Sequence, residues 1–356
     1  IAFISPLLSG IADYMGNKKF FLKLFCYVGA ISCMSLYFFS LDTVVLSLVS
    51  YLLALIGFWG SLVFYNSYLP DIAHKEQQDR ISAKGFSLGY VGSVILLLIC
   101  LAMVMSVEDN QKLQMMKYSF LLVGIWWIGF SQYSYYYLPN TKNTNKLHRN
   151  VVFNGFKELR KVWHQLKELK PLRRYLAAFF VYSMAVQTIM IIAAYFGEKE
   201  VQWGSDSKRT MGLIVSILLI QLIAVLGAWL TSKASTKFGN IKVLIFINFS
   251  WILICTYAYF VITPNDFYIA AAFVGLVMGG IQSLSRSTYS KFIPANTVDT
   301  TSFFSFYDVA EKIGIVIGMF TYGYIADVTG KIQNAILFLI LFFVVGLLLL
   351  LRVPKK

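Results

Sequence analysis

Apolar runs of helical length follow one another along this chain, separated by short basic connections. A segment of about 20 such residues is what an α-helix needs to cross roughly 30 Å of hydrocarbon. Inside lipid a backbone must bond to itself, and a run of that length can do so only as a helix. The runs lie at 1–12, 20–40, 43–69, 85–105, 118–138, 174–196, 210–232, 243–262, 267–287, 302–326 and 333–351. Charged residues are 13% of the chain against about 25% in soluble domains, which leaves too much apolar surface for water. The chain therefore reads as an all-α, multi-pass integral membrane protein.

Basic residues orient it. The connections 13–23, 70–84, 139–173, 233–242, 286–301 and the tail after Leu351 hold 24 of the 31 Lys and Arg, counting Arg174 with the linker. The opposite connections hold Lys112, Lys117, Lys199, Lys208, Arg209 and Lys331. The positive-inside rule places the first set, with the linker and the C-terminus, in the cytoplasm. The formal charge of +14 is thus spent against the membrane surface, and no nucleic-acid motif accompanies it. Cys26, Cys33, Cys100 and Cys255 all lie in apolar runs, with no CxxC pair and no disulfide framework.

A repeat divides the chain. Ser9, Gly16, Asn17 and Lys19 recur as Ser232, Gly239, Asn240 and Lys242, each 223 positions on, while Thr236 takes the place of Asp13. Tyr68-Leu69-Pro70 recurs as Phe292-Ile293-Pro294. Inverted or parallel repeats of this kind mark secondary transporters. The halves are 1–138 and 174–356, joined by the linker 139–173. In the second half a full segment, 174–196, precedes the one at 210–232. Its counterpart would fall upstream of Ile1, so the repeat predicts a further helix there and a six-plus-six arrangement. In the linker, Val152, Phe156, Leu159, Trp163 and Leu166 follow a 4-3-4-3 spacing, an apolar stripe opposite Lys and Arg. That pattern predicts a helix lying flat at the cytoplasmic interface.

Few residues inside the apolar runs can carry chemistry. Gln187, Gln221 and Asn248 sit mid-segment. The segment 302–326 holds Asp308, Glu311 and Lys312. Intramembrane charge is costly and usually faces a cavity or a partner. Asp308 and Lys312 are four apart on one helix face and can pair, which would leave Glu311 without a cation of its own on that helix. Gly85-Phe86-Ser87-Leu88-Gly89 fits the GxSxG nucleophile elbow, but the elbow needs a strand-to-helix turn and a histidine partner. His74, His148 and His164 all fall in connections, so the stretch reads as GxxxG helix packing, like Gly275–Gly279 and Gly314–Gly318. No catalytic group, metal set, cofactor or nucleotide site is expected.

The turn Ser9-xxx-Asp13-Tyr14-Met15-Gly16-Asn17-Lys18-Lys19 resembles the signature loop of the major facilitator superfamily, Gly-xxx-Asp-Arg-x-Gly-Arg-Arg. Ser9 stands for the first Gly and Tyr14 for the Arg, so the family's charge relay through that Arg has no counterpart. The resemblance implies a gating role for Ser9, Asp13, Gly16, Lys18 and Lys19, with Asp13 at a helix end able to meet a cation or a helix N-terminus of the other half. As a surface loop contact it is expected to add only about 0–1 kcal/mol to stability. Tyr65-Asn66-Ser67-Tyr68-Leu69-Pro70-Asp71, Asp79-Arg80-Ile81-Ser82-Ala83-Lys84-Gly85, Gly279-Gly280-Ile281-Gln282-Ser283-Leu284-Ser285-Arg286-Ser287 and Phe303-Phe304-Ser305-Phe306-Tyr307 are similar to the vacuole-effluxer branch of that superfamily.

The resemblance implies a major facilitator fold and a monomeric secondary transporter in the bacterial cell membrane, moving a small polar solute by alternating access. An amino acid is the first solute to consider, with a proton as the candidate coupling ion. Asn66, Gln187, Gln221, Gln282, Arg286, Tyr307, Asp308, Glu311 and Lys312 are the candidate substrate or coupling-ion residues. A sugar or drug transporter of the same fold and a non-transporting scaffold or receptor are the alternatives. A membrane-embedded enzyme would need a Ser/His/Asp or metal cluster at one depth, which the chain lacks.

Overall fold

The computed structural model describes residues 4–140, 151–294, 297 and 299–354. His148 and the rest of 141–150 lie outside these, as does the side chain of Val152. The elements are α1 (Ile4–Met15), α2 (Lys18–Ser35), α3 (Val44–Ser67), α4 (Leu69–Ile72), α5 (Gln78–Met105), α6 (Asp109–Tyr137), α7 (Val151–Glu168), α8 (Lys170–Glu200), α9 (Asp206–Phe238), α10 (Asn240–Ala258), α11 (Pro264–Phe292), α12 (Thr300–Thr329) and α13 (Ile332–Leu351). Nine helical segments among the described residues are long and apolar enough to cross a membrane. The other two expected segments correspond to α1, 12 residues long, and α12, 30 residues long with its interior charges.

The chain forms two compact units, and each takes residues from both sequence halves. The first holds 1–72, 95–165 and 295–308. Its helices approach closely through small residues: a Cβ on Gly57 of α3 would stand 2.3 Å from the Gly29 Cα of α2. Ile11, Phe21, Leu22, Phe64, Tyr68 and Tyr135 form its apolar core, with Phe21 stacked on Phe64 at 5.5 Å.

The second unit holds 73–94, 166–294 and 309–356. Here α9 and α11 interlock. A Cβ on Gly227 would stand 2.0 Å from the Leu276 carbonyl oxygen, and one on Gly279 would stand 2.1 Å from that of Ala224. Gly275 lies as close to Ile220, and Gly318 of α12 meets Met184 and Thr188 of α8. Small residues that let backbones meet are how helices associate in lipid, so the packing reading of Gly275–Gly279 and of Gly318 holds. It does not hold for Gly89, which has nothing within 4 Å. Ser87 lies within helix α5 and donates to the Val225 carbonyl, so no strand-to-helix elbow exists there.

One local expectation needs correction. The connection 70–84 is largely helical, because α5 starts at Gln78, seven residues before its apolar run. The linker helix α7 forms as the 4-3-4-3 pattern predicts, and it also buries residues off that stripe. Gly155, Val162 and Leu166 are buried, while Phe156 and Trp163 are 56% and 45% exposed. The reason is Gly155, which admits a backbone crossing that apolar periodicity does not register. A Cβ on Gly10 of α1 would stand 2.3 Å from the Gly155 carbonyl oxygen. Helix α7 therefore docks on α1 inside the first unit.

Candidate functional site

In the first unit the turn after α1 folds as its sequence requires. Gly16 takes φ 62°, a left-handed backbone that glycine adopts without cost, and Asn17 caps α2 through Phe20. Its counterpart Gly239 also takes a positive φ, 84°, so the repeat keeps glycine where the backbone needs it, although the two turns close through different hydrogen bonds. The turn presents Asp13 to the start of α12. Asp13 accepts the backbone N–H groups of Thr301 at 3.2 Å and Ser302 at 2.6 Å, orphan donors of a helix N-terminus. Burial pushes the Asp13 carboxyl up to about 6, against the lowering effect of these hydrogen bonds and of the Lys18 charge. Asp13 is buried, not a surface loop residue as expected.

Lys18 completes this latch. Its ammonium donates to the Ser67 carbonyl at 3.1 Å and to Thr300 Oγ1 at 3.2 Å, pairs with Asp71, and lies 4.5 Å from the Tyr68 ring centre. Lys19 instead closes α6, donating to the Leu138 carbonyl at 2.8 Å. Ser9 is fully buried on α1. From α7, Lys161 pairs with Asp299 at 2.8 Å, just before α12, and Trp163 packs on Phe306. Asp308 accepts from Ser5 at 3.4 Å, and Tyr307 is buried beside Phe304. Asn66 is half-buried on α3.

The second unit holds a latch of the same design with its polarity reversed. The echo of Asp13 is Thr236, which has no carboxylate. The carboxylate comes from the other side, from Asp79 in the first turn of α5. Asp79 accepts from Ser235 at 3.1 Å and Asn240 at 2.8 Å, and pairs with Lys291 at 2.5 Å. Asn240 also donates to Thr288 at 3.0 Å. The first residues of α5 and α12, Gln78 and Thr300, are 222 positions apart, close to the period of the repeat. Asp79 and Lys291 were not singled out from sequence. The recurrence of Asn17 as Asn240 was the available signal.

Deeper in the second unit, polar groups converge on one face of α8. Gln187 donates to Glu311 of α12 at 2.5 Å, and Lys312 lies 3.7 Å from the same carboxylate. Glu311 thus has a cation on its own helix. Met190, one turn along from Gln187, accepts from Gln282 of α11 at 3.2 Å, and Gln282 accepts from Tyr90 of α5 at 2.5 Å. Tyr182, also on α8, shares a hydrogen bond with Ser285 at 2.7 Å. Arg286 is buried and donates to Ser82 through Nε at 3.0 Å, with Phe86 4.6 Å from its guanidinium. Arg286 therefore joins α5 to α11. Gln221 is half-buried on α9. The structure unites Gln187, Glu311 and Lys312, with Gln282 one helical turn away along α8. Among the described residues no group of three or more His, Cys, Asp or Glu is placed to hold a metal.

The family model for the vacuole effluxer Atg22-like proteins matches residues 1–356. The chain belongs to the vacuole effluxer Atg22-like family. It is 30% identical over 366 residues to the uncharacterized MFS-type transporter YxiO of Bacillus subtilis, covering 100% of this chain and 82% of that one. It is 25% identical over 393 residues to autophagy-related protein 22 of Saccharomyces cerevisiae, covering 95% and 72%. The fold matches the fucose:proton symporter FucP of E. coli with a TM-score of 0.71 at 16% identity, over 99% and 88% of the two chains. The proton:xylose symporter XylE matches with a TM-score of 0.70 at 12% identity, over 99% and 85%. This Atg22-like protein is accordingly a multi-pass membrane transporter with the major facilitator fold.

Proposed function

We propose that this Atg22-like protein is a secondary active transporter that moves a small polar solute, an amino acid first, by alternating access, with proton coupling through Glu311. The observation that carries the reading is the Gln187–Glu311–Lys312 group on membrane helices. Charge at that depth is retained where it binds something or moves a proton. A zwitterionic amino acid offers a carboxylate for Lys312 and an ammonium for Glu311. A scaffold would have no use for either. The Asp13 and Asp79 latches would break and re-form as access alternates.

The halves 1–138 and 174–356 act as the two repeats, with 139–173 and the C-terminus cytoplasmic and the bacterial cell membrane as location. The basic bias of the connections supports that orientation. Flux of radiolabelled amino acids and sugars into proteoliposomes of the full-length protein tests the proposal. Saturable amino-acid flux is expected. Sugar flux without it would move the protein to the alternative solute class, and no flux across the panel would favour the scaffold.

A further inference from the structure

The second unit carries a groove of about 530 Å³ between α9, α10 and α11. Leu230, Val243, Ile247, Leu253, Phe273 and Val277 give it apolar walls, and Phe246, Leu253 and Phe273 remain more than half exposed. Along α10 the lining runs from Val243 to Tyr257, about 21 Å at the α-helical rise. That exceeds one leaflet of hydrocarbon, roughly 15 Å as half of a bilayer core. One straight alkyl chain is the shape that fits such a channel.

One end of the groove lies at the α9–α10 turn, where Ala234 and Val243 line it. There the charge is of one sign. Lys233, Lys237 and Lys242 are exposed, and no Asp or Glu occurs between Val225 and Ser250. The Lys233 ammonium rests 3.8 Å from the ring centre of half-exposed Trp229, beside the groove and one turn on from its lining residue Leu230. The carboxylate that reaches the turn from elsewhere, Asp79, is buried and already held by Lys291, Ser235 and Asn240. A long apolar channel ending in three exposed ammonium groups matches a chain ending in a phosphate.

We propose that this groove binds one anionic glycerophospholipid, with an acyl chain along α10 and its phosphate among Lys233, Lys237 and Lys242. The bound lipid braces the α9–α10 turn that carries Ser235 and Asn240, partners of Asp79. Native mass spectrometry of the full-length protein, titrated with phosphatidylglycerol and with phosphatidylcholine of the same acyl chains, tests this. One phosphatidylglycerol should be retained with a preference of about tenfold or more over phosphatidylcholine.

The triple variant Lys233→Ser, Lys237→Ser, Lys242→Ser alters exposed side chains and should fold, with the preference lost. Ser250→Trp fills the groove from a side chain whose hydroxyl bonds only within α10, and should release the lipid while keeping the lysines. An unchanged preference in the triple variant would overturn the proposal. So would undiminished retention in Ser250→Trp, or displacement of the lipid by soluble glycerol phosphate, which would make the site a headgroup pocket alone.

Discussion

Asp13 Oδ2 accepts the Ser302 backbone N–H at 2.6 Å across 289 residues of sequence. Two effects oppose each other at this bond. Hydrogen bonds to the carboxylate and the Lys18 charge favour the ion, while burial disfavours it and prevails, leaving the carboxyl at about 6. The closed latch therefore holds a carboxylate that water would hold better. Such a contact can be made and broken without a deep trap.

Asp13→Asn follows from that balance. The amide removes the cost of burying charge but satisfies only one of the two α12 donors. Stability at pH 7 should shift by no more than about 1–2 kcal/mol, since a lost hydrogen bond of about 1 kcal/mol offsets the relief. Transport should fall, because the neutral latch no longer gains by opening. Thermal melts beside flux at matched protein amounts check both parts.

The same shift sets a pH dependence. The folded carboxyl sits above its ordinary value of 3.8, so the latched state binds protons more readily than the open or unfolded one. Its stability contribution is full below about 4, declines as pH rises towards about 6, and is flat above that. Two pKa units correspond to about 2.7 kcal/mol at most. Melting curves between pH 4 and pH 7 should show this slope in the wild type and lose it in Asp13→Asn.

Lys291→Ala should be far more damaging than Asp13→Asn. It strands the buried Asp79 carboxylate with only Ser235 and Asn240, and removing one partner of a buried pair costs about 3–5 kcal/mol. The Lys291 side chain is 26% exposed, which places the loss at the low end. Combining it with Asp79→Asn should recover most of the lost melting temperature.

Two glycines of similar appearance should part company. Gly279→Ala drives a methyl to 2.1 Å from the Ala224 carbonyl oxygen, so α9 and α11 must separate at a cost of about 1–3 kcal/mol. Gly89→Ala meets nothing within 4 Å and should gain about 0.5–1 kcal/mol from helix propensity. Melting temperatures of the two variants decide it.

Much of this architecture was legible in the residues because lipid leaves few options. Runs of 20 apolar residues became helices, and the Gly16/Gly239 echo became two turns with glycine at positive φ. What escaped was set by contacts distant in sequence. Glu311 holds a glutamine 124 residues away on α8, a partner that no local spacing shows. The docking of α7 on α1 runs through Gly155 meeting Gly10, which hydrophobic spacing does not score. The Asp79 latch was hidden because the repeat preserved the turn while moving the carboxylate to the opposite partner.

The most direct test of the transport account compares counterflow with pH-driven uptake in proteoliposomes of the full-length protein carrying Glu311→Gln. The amide can still bond Gln187 and leave Lys312 for the solute, but it cannot bind and release a proton. The account predicts that solute exchange survives and that accumulation under a pH gradient is lost. Equal loss of both, or full retention of both, would contradict it.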